Sequence, residues 1–157
     1  GCNVPEVYGD PALLFPHIYQ PKKLNLSNAD ICLIPHIGDL GNDFPWWMEL
    51  NGTSLIPRFT HFDHHANNQT LRLIDIRTPD AAAFIDLLAT CDLVASASLH
   101  GIILAEAYNK TWSWVRLRDK GEDPFKYNDF FLSVGIDKVS TRVSFKYAII
   151  SFFVLFI

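Results

Sequence analysis

The sequence predicts an α/β fold, a Rossmann-like parallel sheet with flanking helices. Short apolar runs such as Ile31–Ile34 and Leu93–Ala97 alternate with segments in which apolar side chains recur at helical spacing. Parallel strands require crossover connections of this kind, because consecutive strands run in the same direction. Strands and helices in alternation therefore favour βαβ units over an all-helical or all-β domain.

The first half of the chain is predicted to contribute one helix and one strand before an irregular region. Asp10 and Pro11 suit the cap and first turn of a short helix over residues 12–15. Residues 31–34 form an apolar run that reads as a buried strand and stops at a proline. Residues 36–70 are rich in Gly, Asn and His and are predicted to be irregular.

The second half alternates strands and helices regularly. Ligands of parallel sheets collect beyond the carboxyl ends of the strands, so residues 35–39 and 96–101 are expected at one edge. The predicted elements are, in order, strand 71–76, a helix capped by Thr78 or Asp80, strand 93–97, helix 100–108, strand 111–115, and helix 125–134 ended by Gly135.

Composition and charge exclude some classes of protein. Hydrophobic residues make up 49% and charged residues 19%, which argues against disorder. The formal charge of −4 does not support nucleic-acid binding. Three widely spaced cysteines without a CxxC pair predict buried thiols in a reducing compartment, and thus a cytoplasmic protein. Four Asn-X-Ser/Thr sequons keep a lumenal location open, the Golgi lumen if the chain is eukaryotic.

The two ends of the chain differ from its middle. A start at Gly1 without an initiator Met predicts a fragment or a processed product, and no signal-peptide pattern follows it. Residues 138–157 form a hydrophobic tail, and the apolar run within it is shorter than the roughly 20 residues of a membrane span. A terminal strand, a truncated membrane segment and an out-of-frame extension are all open, and we favour the extension.

The turn before the helix at residues 100–108 is the strongest candidate for chemistry. A strand that opens directly onto a helix leaves backbone N–H groups unpaired, and the helix dipole adds positive charge there. Such a point attracts phosphate and carboxylate groups. His100 lies in this turn, and an imidazole can act both as an acid and as a base. The pattern predicts a site for an anionic substrate.

Six short motifs follow one another along the chain: Gly9–Leu14, Ile34–His36, Ile74–Asp80, Ala89–Val94, Ser98–Gly101 with Ala105–Tyr108, and Phe125–Phe131. In sequence and order they resemble the C-terminal part of polysaccharide pyruvyl transferases over about residues 5–137, which places this lobe at residues 1–137 and leaves the tail unmatched. The resemblance implies one lobe of a GT-B-like two-domain fold. It also implies transfer of pyruvate from phosphoenolpyruvate onto two hydroxyls of a sugar as a cyclic ketal.

The same resemblance implies roles for individual residues. The Leu-His-Gly turn carries phosphoenolpyruvate contacts in the family, so His100 is the candidate catalytic acid and base. Some members have an arginine where this chain has Ser98, so charge must come from elsewhere, for example from a basic group on Lys126, Arg116, Arg118 and Lys120. The candidate substrate-binding residues are Ser98, Leu99, Gly101, His36 and Lys126.

The resemblance also implies the partners. Phosphoenolpyruvate is the donor substrate and no separate cofactor is expected. The acceptor is a glycan or a lipid-linked saccharide, and the family's N-terminal lobe is the missing partner; nucleic acid is not expected. Two alternatives remain open. The chain is a lobe of a nucleotide-sugar-dependent GT-B glycosyltransferase, because a diphosphate also suits the helix start, or it is a non-catalytic remnant.

Other polar residues are predicted to have structural roles. Asp10 is expected to cap its helix rather than to catalyse. Glu106 points along the crevice or into solvent, and Arg77 is a surface partner for Asp80. Residues 61–65, His-Phe-Asp-His-His, have the spacing of zinc ligands on a helix, but their neighbours indicate a loop, and no metal is expected. Trp46 and Trp47 are assigned to packing in the core or a lid.

Overall fold

The computed structural model describes residues 9–40, 61–66, 69–116, 124–136 and 143–144. The strands are β1 Ala29–Ile34, β2 His61–Ala66, β3 Gln69–Ile74, β4 Cys91–Ser96, β5 Thr111–Arg116 and β6 Val143–Ser144. The α-helices are α1 Phe15–Ile18, α2 Ala81–Ala89, α3 Leu99–Ala107 and α4 Phe125–Ser133. Two 3-10 turns, Pro11–Leu14 and Ile37–Leu40, precede α1 and follow β1.

The strands form one sheet in the order β2-β3-β1-β4-β5-β6. The four central strands are parallel, β2 runs antiparallel to β3, and the two residues of β6 run parallel to β5. With helices connecting the parallel strands, this is the α/β, Rossmann-like arrangement that the sequence predicts. The chain adds β3 on one side of β1 and then crosses through α2 to add β4 on the other side. The order of the strands therefore reverses between β1 and β4.

Two apolar clusters hold the helices on the sheet, and α3 belongs to both. Ala105 of α3 is buried with Leu88 of α2 and Val94 of β4. Ile102 and Ile103 of α3 are buried in the second cluster, which includes aromatic residues of β5 and α4. Burying an isoleucine side chain contributes about 1.5–3 kcal/mol. The position of the α3 start is thus fixed by packing along the rest of the helix.

A disulfide joins the two central strands. Cys32 of β1 and Cys91 of β4 are bonded, with their Cα atoms 5.6 Å apart, and both residues are buried. The prediction of free buried thiols is therefore wrong for this pair. The two cysteines are separated by 59 residues in sequence, and only the adjacent, parallel placement of β1 and β4 brings them within bonding distance. Cys2 lies outside the described residues.

The predicted elements of residues 71–134 are present with ends that differ by at most two residues. The short N-terminal helix is also present, as the 3-10 turn that continues into α1. The prediction for residues 61–65 is wrong, because this histidine-rich segment is neither a loop nor a helix but most of β2. A strand rises about 3.3 Å per residue, more than twice the rise of a helix, so the spacing of helical zinc ligands does not apply to this segment.

Several predictions fall wholly or partly outside the described residues. Trp46 and Trp47 lie there, as does most of the 138–157 tail. Within the tail, Val143 and Ser144 are described, and they pair with Val115 and Arg116 at the end of β5. Among the helices that the structure describes, none has the length and hydropathy needed to cross a bilayer.

Candidate functional site

The carboxyl ends of β1 and β4 are hydrogen-bonded neighbours. Ile34 pairs with Ser96 in the parallel register, and the Ala97 N–H donates to the Ile34 carbonyl at 2.9 Å. These are the strands between which the strand order reverses, where open α/β sheets bind ligands. The segments 35–39 and 96–101 therefore lie at the same edge of the sheet, as the sequence predicts.

The turn that leads from β4 into α3 is held by Ser96. The buried Ser96 hydroxyl accepts from the Ser98 N–H at 3.1 Å and donates to the Ser98 carbonyl at 2.8 Å. The first helical hydrogen bond runs from the Ile102 N–H to the Ser98 carbonyl. The N–H groups of residues 99–101 precede this bond and take no part in the helical ladder.

Ser98 does not cap the helix that it precedes. It has the extended backbone of an N-cap residue, yet its side chain, which is buried, forms no capping hydrogen bond within the described part of the chain. A serine at this position normally accepts from the second or third helical N–H. The start of α3 therefore presents uncapped N–H groups and the positive end of the helix dipole.

Gly101 lets α3 begin directly over the ends of the two strands. A Cβ atom at this position would lie 2.4 Å from the Ser96 Oγ atom and 3.1 Å from the Ile34 Cγ2 atom. Any larger residue would have to displace the Ser96 hydroxyl, which holds the turn through its two bonds to the Ser98 backbone, or shift the helix. The missing side chain of Gly101 sets how closely the helix start approaches β1 and β4, and the substrate-binding role of this residue stays a prediction.

The two residues before Gly101 face different surroundings. Leu99 is half-buried and packs against the cluster that contains Ile102 and Ile103. His100 is exposed, in the first turn of α3 and at the carboxyl edge of the sheet. Packing of Leu99 fixes the turn, while the His100 imidazole remains accessible to a ligand. The ring is not enclosed in packed hydrocarbon.

His36 lies beyond the end of β1 and is oriented by its own loop. Its Nδ1 atom accepts from the Gly38 N–H at 3.1 Å, and its backbone N–H donates to the Asp39 carboxylate at 3.0 Å. A ring nitrogen that accepts a hydrogen bond carries no proton, so the neutral ring has its proton on Nε2. The local hydrogen bonds hold the His36 ring at the edge that also carries His100.

Tyr127 connects α4 to this edge, and the sequence alone does not identify it. Its hydroxyl donates to the Ala97 carbonyl at 2.6 Å, and its ring is fully buried and stacked on Trp114 at a centroid distance of 4.5 Å. The neighbouring Lys126 holds its Nζ atom 5.0 Å from the centre of the Tyr127 ring. Lys126 is thus on the helix that contacts the 96–98 turn. Two other members of the predicted basic group, Arg118 and Lys120, lie outside the described residues.

Three other candidates are engaged within the fold. Asp10 accepts from the Ala12 N–H at 2.8 Å, which confirms the predicted cap. Glu106 accepts from the Trp112 indole N–H at 2.6 Å, so it is bonded to β5 rather than directed along the crevice or into solvent. Arg77 does not pair with Asp80. Its guanidinium lies 2.6 Å from the carboxylate of Asp75.

The Arg77 pair and the Asp80 carboxylate belong to the start of α2, at the same edge of the sheet. The hydrogen bond with Asp75 raises the pKa of Arg77 above its ordinary value, which keeps the guanidinium protonated. Asp80 accepts from the Ala82 N–H at 2.9 Å and from the Ala83 N–H at 3.2 Å. The start of α2 is therefore closed by the protein's own carboxylate.

Across the described residues, His, Cys, Asp and Glu form no group of three that could hold a metal ion. The comparisons with known proteins give a match to a family model. The family model of polysaccharide pyruvyl transferase matches residues 1–116. No curated protein and no solved structure matches the chain. The match spans more than half of the sequence and includes β1, β4, α3 and their connecting turns, and the chain belongs to the polysaccharide pyruvyl transferase family.

Proposed function

We propose that this chain binds phosphoenolpyruvate at the start of α3 and contributes His100 to the transfer of its pyruvyl group. The acceptor is a sugar of a polysaccharide or glycan, and the product is a cyclic ketal. The observation that carries the proposal is the uncapped α3 start at the point where the strand order reverses, with an exposed imidazole in its first turn. Anions bind at such helix starts because N–H groups and the dipole both favour negative charge.

Phosphoenolpyruvate supplies two anionic groups, and this edge supplies matching positive and N–H-rich features. The N–H groups of residues 99–101 suit either the phosphate or the carboxylate. Lys126 supplies a positive charge on the helix that Tyr127 attaches to the same turn. His36 lies at the same edge as His100, in a loop whose Gly38 N–H donates to its Nδ1 atom, and we assign it to the polar surface around the donor. We assign Ser98 and Leu99 to shaping this contact surface.

The reaction requires proton transfer at carbon and at oxygen. In the proposed sequence, the protonated His100 ring gives its proton to the methylene carbon, and a sugar hydroxyl adds to the neighbouring carbon and loses its own proton to the imidazole. The second hydroxyl then forms the second C–O bond as the C–O bond to phosphate breaks. Phosphate leaves with the proton of that hydroxyl, so the histidine ends in its starting state.

The acceptor side of the site belongs to the rest of the enzyme. We propose that a second lobe, as in GT-B-like enzymes, faces the carboxyl edge of this sheet and holds the saccharide. The described residues carry no arginine within the 98–101 turn itself. A cation from the opposing lobe would therefore complete the neutralisation of the phosphate dianion.

The direct test is pyruvyl transfer in the enzyme assembled with both lobes. We expect His100→Gln to reduce the rate of ketal formation by about 10²–10⁴-fold, the range for removal of a general acid or base. His17→Gln is the matched control and should keep the parent rate. This exposed histidine of α1 is two residues from Tyr19, whose carbonyl accepts from the Tyr108 hydroxyl at the opposite end of α3. An unchanged rate for His100→Gln would remove the catalytic role.

A ligand experiment separates the proposal from its alternatives. Thermal stabilisation of the protein by phosphoenolpyruvate, and not by a nucleoside diphosphate, is expected. Stabilisation by the nucleoside diphosphate alone would indicate a nucleotide-sugar glycosyltransferase. No response to either ligand in the two-lobe protein would indicate a remnant without donor binding.

A further inference from the structure

The chain contains more N-glycosylation sequons than its composition predicts. Nine asparagines and sixteen serines and threonines among 157 residues would give about one Asn-X-Ser/Thr tripeptide by chance, whereas four occur. Two of the four asparagines, Asn25 and Asn109, lie in the described residues, and both are exposed. Asn51 and Asn68 lie outside them. Exposure is the first requirement for a glycan acceptor in a folded protein.

Both exposed sequons lie at the edge of the sheet opposite the candidate site. Asn25 precedes β1, and Asn109 lies in the turn between the end of α3 and the start of β5. Since β1 and β5 are parallel, their amino ends share one edge, and His36 and His100 lie beyond the carboxyl ends. A glycan on either asparagine would therefore leave the substrate edge open.

Asn109 is exposed and has a backbone conformation that suits asparagine. Its φ angle of 53° is in the left-handed region, which asparagine tolerates better than most residues. Thr111, the hydroxyl residue of the sequon, is the exposed first residue of β5. The Nζ atom of Lys110, between these two residues, donates to the carbonyls of Ala89 and Cys91. These bonds attach the turn to the end of α2 and the start of β4.

The disulfide is a second, independent indication of the compartment. Cys32 and Cys91 are bonded and fully buried in the centre of the sheet. Disulfides persist in oxidising compartments, and N-glycans are added in one of these, the lumen of the secretory pathway. Excess sequons and a buried disulfide are unrelated features of the chain, and each favours the lumen over the cytoplasmic location expected from composition.

We propose that Asn25 and Asn109 are N-glycosylation sites and that the chain folds in an oxidising lumen with Cys32 bonded to Cys91. The donor is a lipid-diphosphate-linked oligosaccharide. The asparagine amide nitrogen forms a bond to the anomeric carbon, the bond from that carbon to the diphosphate oxygen breaks, and the amide loses one proton. The disulfide forms by exchange with a protein disulfide, which is reduced to two thiols as Cys32 and Cys91 are oxidised.

The test uses the full chain isolated from the cells that produce it. Removal of N-glycans by a peptide glycosidase in heavy-oxygen water converts each occupied asparagine to labelled aspartate, which mass spectrometry locates. We expect label at Asn25 and Asn109 and none at Asn128, an exposed asparagine without a sequon. Unlabelled Asn25 and Asn109 peptides would overturn the assignment of these sites.

Variants at Thr111 give a matched pair in the same cells. Thr111→Ser keeps the sequon and should migrate like the parent, and Thr111→Ala should lose one glycosidase-sensitive shift in mobility. Asn109→Asp removes the acceptor while tolerating the left-handed backbone, which separates loss of the glycan from misfolding. Identical migration of the parent, Thr111→Ala and Asn109→Asp would contradict glycosylation at Asn109.

The disulfide is tested on the same material. Alkylation of the denatured protein before reduction should leave Cys32 and Cys91 unmodified, and alkylation after reduction should label both. Labelling of both cysteines before reduction would contradict an oxidising compartment. Activity is not a readout in either experiment, so both outcomes are independent of the proposed pyruvyl transfer.

Discussion

Helices α2 and α3 start at the same edge of the same sheet, and they differ in what occupies their first turn. Each has nine residues and follows a parallel strand. The start of α2 is closed by Asp80, which accepts from two N–H groups and places a negative charge against the dipole. The start of α3 is preceded by Ser98, whose side chain forms no such bond.

The difference separates a structural helix start from one available to a ligand. An anion that approaches α2 meets a carboxylate that already satisfies the N–H groups. An anion that approaches α3 meets uncapped N–H groups and the exposed imidazole of His100. Two helices of equal length on one sheet thus begin differently, because the residue before each of them differs in charge and in hydrogen bonding.

The largest difference in stability between the two helices is expected from substitutions at the third helical residue. This residue is Gly101 in α3 and Ala83 in α2. Gly101→Ala places a Cβ atom 2.4 Å from the Ser96 Oγ atom. Overpacking of this kind typically costs about 1–3 kcal/mol. Ala83→Gly is the control at the matched position, where loss of helix propensity costs about 0.5–1 kcal/mol. Free energies of unfolding in urea measure both.

A Gly101→Ala protein as stable as the parent, with unchanged affinity for phosphoenolpyruvate, would show that close approach of α3 to β1 and β4 is not required.

A charge at Ser98 should close α3 as Asp80 closes α2. We expect Ser98→Asp to weaken binding of phosphoenolpyruvate at least tenfold, about 1.4 kcal/mol, because a carboxylate would compete for the N–H groups and repel the ligand. Ser98→Asn, which caps without a charge, is the control and should lose less. Isothermal titration measures both affinities, and equal affinities for the parent and Ser98→Asp would place the donor elsewhere.

Removal of the two cap side chains should affect stability unequally. Asp80→Ala loses two hydrogen bonds to the first turn of α2 and should cost about 1 kcal/mol. Ser98→Ala loses no capping bond, and the contacts of the Ser98 backbone with Ser96 remain, so its cost should stay within about 0.5 kcal/mol. Chemical denaturation of both variants decides, and equal losses would mean that Ser98 caps α3 after all.

The smallest effect concerns Asp86, the second carboxylate that α2 uses within the fold. Asp86 accepts from the Tyr19 hydroxyl at 2.8 Å and from the Lys22 N–H at 2.7 Å. Burial, followed by this hydrogen bond, raises the pKa of Tyr19 from 10.0 to about 12. Between pH 10.0 and about 12, the folded chain therefore keeps the proton of the Tyr19 hydroxyl, which the unfolded chain releases.

This contribution of Tyr19 to stability is complete below pH 10.0 and is lost as the pH rises toward about 12. We expect Tyr19→Phe to show a shallower loss of the free energy of unfolding across this pH range than the parent. Denaturation at several alkaline pH values measures the slopes, and parallel curves would contradict the raised pKa.

Sequence patterns predict those parts of this molecule that depend on local spacing. The apolar periodicity of residues 71–134 predicts the strands and helices, and the strand-to-helix pattern places His100 at the start of α3, where the structure has it. The shared edge of His36 and His100 also follows from the sequence, because parallel strands end at the same edge of a sheet. The sequence does not predict contacts between distant residues, because these contacts depend on the order of the strands in the sheet.

Three features show this limit. Cys32 and Cys91 become a disulfide only because β1 and β4 are adjacent, and Tyr127 meets Ala97 only because α4 packs beside the 96–98 turn. Strand β2 has a polar, histidine-rich sequence without the apolar alternation of a strand. It is specified by its pairing with β3 rather than by its own pattern.

The most direct test of the account is a nuclear magnetic resonance titration of the amide groups with phosphoenolpyruvate. We predict that the largest shifts occur at the N–H groups of Leu99, His100 and Gly101, and that those of Ala82 and Ala83 remain unchanged. Shifts of equal size at both helix starts, or none at residues 99–101, would contradict the claim that α3 is the open anion site of this sheet.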